Sequence, residues 1–246
     1  MPIKKQKKIK PTSVEELKTE FVSIVSHQMR TPLSAVKWNL ESLLDNKRGN
    51  ALNSWQKDKI RSAYQCNERM INLVDDLLNL SQLDSGQVQL NLEKIDMNVL
   101  CREIAQQNAV FAKANNVKII INEAASLSPI LGDRNKLTQV IDNLVNNAIK
   151  YSRGHGQITL SAQPKKQAVE FSVQDQGIGI PKENQPYIFQ KFFRGHNALH
   201  NQADGTGLGL FIAKRLIELQ QGKMWFESIP HQGTCIYFTL PKYLKL

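Results

Sequence analysis

The 246-residue chain has no apolar run approaching the ~20 residues that a membrane-crossing helix needs, and its start, MPIKKQKKIK, lacks the apolar core of a secretory signal. A cytoplasmic location is the expectation that follows. Cysteine is scarce: Cys66, Cys101 and Cys235 are odd in number, far apart and without the short spacings of a metal site. That pattern excludes a disulfide framework, and the three read as reduced packing residues. No internal repeat is present, which sets aside solenoids and propellers. No glycine cluster is followed by GK[ST], and none has the strand context of a dinucleotide fingerprint, so two common phosphate-binding loops are absent.

Positive charge is abundant, with a formal net charge of +10 and a pI near 9.5. Such a balance suits nucleic acid or an anionic lipid surface. Its distribution argues otherwise, because Lys4, Lys5, Lys7, Lys8 and Lys10 supply half of the excess within the first ten residues. A terminal charge run reads as a solvated tail. No basic stripe interleaved with aromatic residues lies beyond it, so no nucleic-acid partner is expected. Weak contact of the tail, residues 1–12, with a membrane surface stays open.

The remaining chain has two periodicities. Ser13 and Glu16 form a capping-box pattern that opens a helical run with Leu17, Phe21, Ile24, Gln28, Leu40 and Leu43 at helical spacing, ending near NKRGN. A second run carries Ile60, Ala63, Asn67, Met70, Val74, Leu77 and Ser81 at alternating steps of three and four, a seam for another helix, and stops near Ser85 and Gly86. Two such helices bury too little surface alone, so residues 13–86 are expected to pair with a second copy as a four-helix bundle. From residue 87 to 246 the pattern becomes α+β. Strands are expected in VQLNLEKI, VKIIINEA, GQITLSAQ, AVEFSVQD, KMWFESI and TCIYFTL, and helices over Met97–Asn115, Asn135–Tyr151 and Gly207–Gln220. The helices would cover one face of a mainly antiparallel sheet, with a long loop over 181–205.

Several residue groups carry chemistry. Asn143 and Asn147 lie one helical turn apart with Lys150 and Tyr151 following, a face that suits a Mg²⁺-bound phosphate or is simply a polar helix surface. Asp175 ends a strand before Gly177 and Gly179, where backbone can approach a planar ligand and a carboxylate can accept from an exocyclic amine. In DGTGLGL, Gly205, Thr206, Gly207, Leu208 and Gly209 precede a helix whose free N–H groups would favour phosphate; a turn without ligand is the alternative for either glycine motif. His27 in SHQMRTPL lies five residues before Pro32, which should bend the first helix.

In order and spacing these segments resemble the histidine kinase family from about Val14 to Leu240. SHQMRTPL is similar to its phosphoacceptor box, NLVNNAIKYS to its N box, DQGIG and GTGLGL to its glycine boxes, YIFQKFFRG to its F box and GTCIYFTLP to its closing strand. The resemblance implies a dimeric phosphoaccepting helical hairpin followed by an ATP-binding α/β sandwich of the gyrase type. It implies ATP and Mg²⁺ as cofactors and, as partner, a response-regulator receiver domain presenting an Asp. Carried over by residue, it makes His27 the nucleophile, Asn147 the Mg²⁺ ligand, Asn143 and Lys150 neighbours of the phosphates, and Asp175 the reader of the adenine amine. Tyr151 would border the adenine, Phe192 and Phe193 anchor a lid, Arg194 approach the γ-phosphate, and Thr31 orient water for dephosphorylating the partner or bond back into its helix.

Two departures stand out. Gln28 occupies the place after the phosphoacceptor where the family usually has Glu or Asp; it cannot take a proton but can accept from the imidazole N–H. Lys136 replaces the Arg of the family's DxxR pattern, keeping charge but losing a bidentate fork. The alternatives are a catalytically weak dimeric scaffold, a phosphatase of the response regulator or, more distantly, a basic nucleic-acid-binding ATPase.

Overall fold

The computed structural model describes residues 14–45, 52–152, 156–195 and 206–243, which form two compact units, the first ending at Val88 and the second beginning at Gln89. Ser13 of the expected capping box and residues 46–51 lie outside the described residues.

The first unit is a pair of long helices, α1 (Val14–Asp45) and α2 (Ser54–Asp84). Helix α2 starts from a capping box that the sequence reading did not single out. The Asn53 side chain accepts from the Gln56 N–H at 2.8 Å, and the Gln56 side chain accepts from the Asn53 N–H at 3.0 Å. It ends at Ser85, followed by Gly86 in the left-handed region at φ +66°, where the absence of a Cβ removes the penalty. The helices run antiparallel, since partner numbers fall on α2 as they rise on α1. Arg30 Nε donates to Asp75 at 2.9 Å, Asn67 Nδ2 to the Leu33 carbonyl at 2.9 Å, and the Tyr64 hydroxyl to Glu41 at 3.3 Å, with Lys37 and Glu68 paired at 3.0 Å between them.

The stripe expected on α2 is divided by this packing. Asn67 and Val74 are buried, whereas Ala63, Met70 and Leu77 are exposed, as is the neighbouring Leu73. On α1, Met29, Val36 and Leu43 are also exposed, at a strict spacing of seven. One antiparallel partner covers only one face of a helix, so a stripe at heptad spacing on each helix is left over. Cys66 is exposed as well, which corrects its reading as a packing residue; Cys101 is buried and its thiol is pushed up to about 12 by that burial.

The second unit runs β1 (Glu93–Ile95), α3 (Met97–Gln107), α4 (Ala109–Ala114), β2 (Val117–Asn122), β3 (Ile130–Gly132), α5 (Arg134–Tyr151), β4 (Gly156–Pro164), β5 (Ala168–Gln174), α6 (Gly209–Leu219), β6 (Lys223–Ile229) and β7 (Gly233–Pro241). Five strands form one sheet in the order β2-β4-β5-β7-β6, with β2 parallel to β4 and the other neighbours antiparallel; β1 and β3 pair separately. Alternation decides the faces. Leu160, Phe171 and Phe238 point into the core, where the two phenyl rings sit 4.9 Å apart, while Ser161, Ser172 and Tyr237 line the opposite, partly solvated face. Helices α3, α5 and α6 supply the other half of that core through residues such as Ile104, Ile141 and Ile212.

The helix expected over 97–115 is broken at Asn108, whose side-chain amide bonds the Ile104 carbonyl at 3.0 Å and Asp142 of α5 at 2.7 Å. A side chain that takes a helical carbonyl competes with the next turn. The expected strand over 88–95 contracts to its last three residues, the length of its partner β3. The helix expected from Gly207 starts two residues later, since Gly207 itself lies at φ +72°. Helix α5 is anchored by Asp133, which caps it by accepting from the Lys136 N–H at 3.0 Å. Its other carboxylate oxygen accepts from the Asn91 N–H at 2.9 Å, and its own N–H donates to Gln220 after α6 at 2.7 Å.

Candidate functional site

On α5, Asn147 Nδ2 donates to Asn143 Oδ1 at 3.3 Å, which turns the Asn147 carbonyl oxygen away from its neighbour and leaves it an acceptor. Asn143 Nδ2 is buried with no hydrogen-bond partner among the described residues. A buried amide donor left unpaired costs roughly 1–3 kcal/mol. Gly209, the first residue of α6, explains how the two helices meet: a Cβ there would lie 2.5 Å from Asn143 Oδ1. The Asn143 amide therefore faces the first turn of α6, whose N–H groups have no partner within the helix.

Ahead of that turn, Thr206 Oγ1 accepts from the N–H of the buried Leu208 at 3.2 Å, and Gly207 abuts the Phe192 backbone, where a Cβ would come within 2.7 Å. Gly205 lies outside the described residues. Phe192 is itself at φ +62° and 61% exposed. The ring contacts of this segment belong instead to Phe193, 5.6 Å from Tyr187, and to Phe189, 5.8 Å from Phe226 and under the Lys214 ammonium.

Asp175 follows β5. Its Oδ1 accepts from the Gly177 N–H at 2.8 Å and the Thr234 N–H at 3.2 Å, and its own N–H donates to the Thr234 carbonyl at 2.8 Å. Burial pushes its carboxyl above the ordinary carboxylate value, and the two N–H donors oppose the shift. Gly177 packs on the Tyr151 carbonyl, which accepts from Ile178 at 3.1 Å, so the glycine loop is fastened to the end of α5. The Tyr151 hydroxyl is raised by burial and pulled back by the Arg194 charge, which brings Arg194 within electrostatic reach of Tyr151. Lys150 stands in the same last turn.

Contacts join these groups in two places: Asn143 of α5 meets Gly209 at the start of α6, and Gly177 after β5 packs on Tyr151 at the end of α5, within electrostatic reach of Arg194. A hard amide oxygen fits Mg²⁺, and among the described residues no group of three His, Cys, Asp or Glu is placed to hold a metal, so the remaining ligands of a cation here would be water and phosphate oxygens. In the first unit, His27 lies in α1 between the buried Ser26 and the exposed Gln28, with Thr31 also exposed; the His27 side chain is not among the described groups. Sequence reasoning passed over Thr234, Ser228 and Gln185. The first two sit in strands read only for alternation, and Gln185 falls in a stretch without any period.

Residues 17–86 match the family model of the His Kinase A (phospho-acceptor) domain, and residues 132–244 that of the histidine kinase-, DNA gyrase B- and HSP90-like ATPase. The sensor protein kinase WalK of Staphylococcus aureus is 35% identical over 235 residues, covering 93% of this chain and 54% of that protein; for the strain Newman form the latter share is 37%. The chain thus spans about half or less of the length of these relatives. Among solved structures, full-length ShkA in complex with AMPPNP matches with a TM-score of 0.73 and 28% identity over 91% of this chain and 46% of that one. The catalytic domain of the histidine kinase ThkA matches with a TM-score of 0.55 and 29% identity over 62% of this chain and 98% of that one. The Acinetobacter baumannii histidine kinase AdeS, at 21% identity and a TM-score of 0.61 over 88% of this chain and 98% of that one, shares the fold.

Proposed function

The chain belongs to the sensor histidine kinase family, and we propose that it is an ATP-dependent core that phosphorylates its own His27 and passes the phosphoryl group to an Asp of a response-regulator receiver domain. The observation that carries the nucleotide half is the buried, unpaired Asn143 amide beside the Asn147 oxygen and in front of the first turn of α6. In this reading Asn143, Lys150 and the turn from Gly205 to Gly209 receive the phosphates, and Asp175 accepts from the adenine amine beside Tyr151. Arg194 approaches the γ-phosphate. Mg²⁺ held by Asn147 would neutralise phosphate charge.

An imidazole nitrogen of His27 supplies the electron pair that forms the new N–P bond, while the bond to the β–γ bridging oxygen breaks and ADP departs. Imidazole ordinarily titrates near 6.5, so a neutral ring is available as a nucleophile at pH 7. Gln28 can orient the ring by accepting its N–H but cannot take the proton, which passes to water. The chain's task is alignment and charge compensation rather than covalent assistance.

Dimerisation through the hairpin is part of the proposal, supported by the exposed stripes Met29, Val36, Leu43 and Met70, Leu73, Leu77. No described helix is long and apolar enough to cross a membrane. The cytoplasm, where ATP is available, is the compartment proposed. The test is transfer of γ-phosphate from labelled ATP and Mg²⁺. Acid-labile, alkali-stable label on the native chain, lost in His27→Ala and Asn147→Ala, is expected; a chain that binds ATP and never labels His27 is a scaffold or a phosphatase instead.

A further inference from the structure

Gln185 stands at the root of the segment that leads to Arg194, and it has no part in the chemistry proposed so far. Its side-chain amide donates to two carbonyls, Ile180 at 3.0 Å and Ser228 of β6 at 3.1 Å. The Ile180 N–H donates in turn to Ser228 Oγ at 2.8 Å, and that hydroxyl contacts the Gly233 carbonyl at 3.0 Å and Thr234 Oγ1 at 2.9 Å. Both backbone polar groups of Ile180 are therefore held from the side, one by Ser228 and one by Gln185. Two residues earlier the Ile178 carbonyl accepts from the His231 N–H at 2.7 Å, and Gly179 lies so close to the Ile229 carbonyl that a Cβ would come within 2.2 Å. The loop after Asp175 is thus fixed to the β6–β7 hairpin at Ile178, Gly179 and Ile180.

Beyond the clasp the chain winds through successive three-residue turns, with N–H bonds from Asn184 to Pro181, Gln185 to Lys182, Tyr187 to Asn184, Gln190 to Tyr187 and Phe193 to Gln190 at 2.8–3.4 Å. Gly195 returns to this root, where a Cβ would lie 2.7 Å from Asn184 Nδ2. Gln185 ties the start of this segment to Ile180 and to Ser228 of β6, while Phe189 ties its middle to Phe226 of β6.

We propose that Gln185 is a positioning residue for the nucleotide: by bridging the Ile180 and Ser228 carbonyls it sets the spacing between the Asp175 loop and the segment carrying Arg194. The proposal rests on the nucleotide reading of the second unit. Leu at 185 would fill the space and leave both carbonyls without this donor. Glu would turn a carboxylate toward two carbonyl oxygens until it takes up a proton, which restores a donor.

The experiment is displacement of ribose-labelled fluorescent ATP by ATP and Mg²⁺ on the full chain, for the native protein, Gln185→Leu and Gln185→Glu, with melting temperatures measured alongside. At about pH 8 both variants are expected to bind about tenfold more weakly, the scale of one lost hydrogen bond. On lowering toward about pH 4.5, where a carboxyl takes up a proton, the Glu variant regains affinity relative to the native chain and the Leu variant does not. A purely structural role predicts lower melting temperatures with unchanged affinity, or the same pH profile for both variants, and either result overturns the assignment. Failure of the native chain itself to bind overturns the nucleotide reading as well; native binding with unaffected variants overturns only the role of Gln185.

Discussion

The side-chain oxygen of Asn143 occupies the space that a Cβ on Gly209 would need, at a separation of 2.5 Å. Because the obstructing atom is the tip of a side chain, Gly209→Ala can be accommodated by rotating Asn143, at a cost of at most about 2 kcal/mol. The rotation moves the buried amide. ATP affinity is expected to fall about tenfold while the melting temperature changes by only a few degrees, as ATP displacement and thermal unfolding would read. Unchanged affinity would remove Asn143 from the phosphate site.

Gln28 predicts a kinase that runs below its ceiling. Gln28→Glu supplies a carboxylate that can accept the imidazole proton, and the rate of His27 labelling is expected to rise, by less than the ~10²-fold at the lower end of general-base effects. ATP affinity should stay as it is, since residue 28 lies outside the nucleotide unit. A slower Glu variant would contradict the assignment of Gln28 to the phosphoacceptor site.

Asp175 gives a pH dependence with a definite sign. Its carboxyl is raised from the ordinary 3.8 by burial, so its contribution to stability is fully present below that value and is lost as pH rises through the raised one. Asp175→Asn removes the loss. The variant should melt above the native chain, with a gap that opens as pH rises from the ordinary carboxylate value through the raised one and stays constant above. Its ATP affinity should drop about tenfold or more, because a neutral amide is a weaker acceptor for the adenine amine than a carboxylate. A gap that closes with rising pH would refute the burial argument.

The exposed stripes of the hairpin lead to an assembly prediction. Light scattering should find the native chain dimeric, and Leu73→Lys with Leu77→Lys should shift it to monomer, since each buried leucine contributes roughly 1.5–3 kcal/mol. Labelling should fall together with dimerisation if phosphoryl transfer needs the partner copy. A monomeric native chain would show that some other surface covers these residues.

Much of the architecture was legible because period and punctuation are local. Helical spacing located α1 and α2, alternation located β4 to β7, and Gly86 marked the end of α2. The break at Asn108 was not legible, because Asp142, which holds it, is 34 residues away. Nor was β3, a three-residue strand held by pairing with β1 and by a bridge from Ile130 to Lys242, both distant in sequence. The α2 stripe reads as a single seam in sequence, yet only the packing of α1 separates its buried residues, Asn67 and Val74, from its exposed ones, Met70 and Leu77.

The sequence by itself determined the identities of the chemical groups and their order: an imidazole before Pro32, paired amides one turn apart, a carboxylate at a strand end, glycines ahead of a helix. These follow from spacing within single elements. Tertiary structure decided which of their atoms remain available. Asn147 turns one amide atom onto Asn143, Thr234 and Gly177 take Oδ1 of Asp175, and Gln185 and Ser228 hold both ends of Ile180. Hydrogen-bond capacity is consumed by neighbours that are distant in sequence, and only the fold brings those neighbours together.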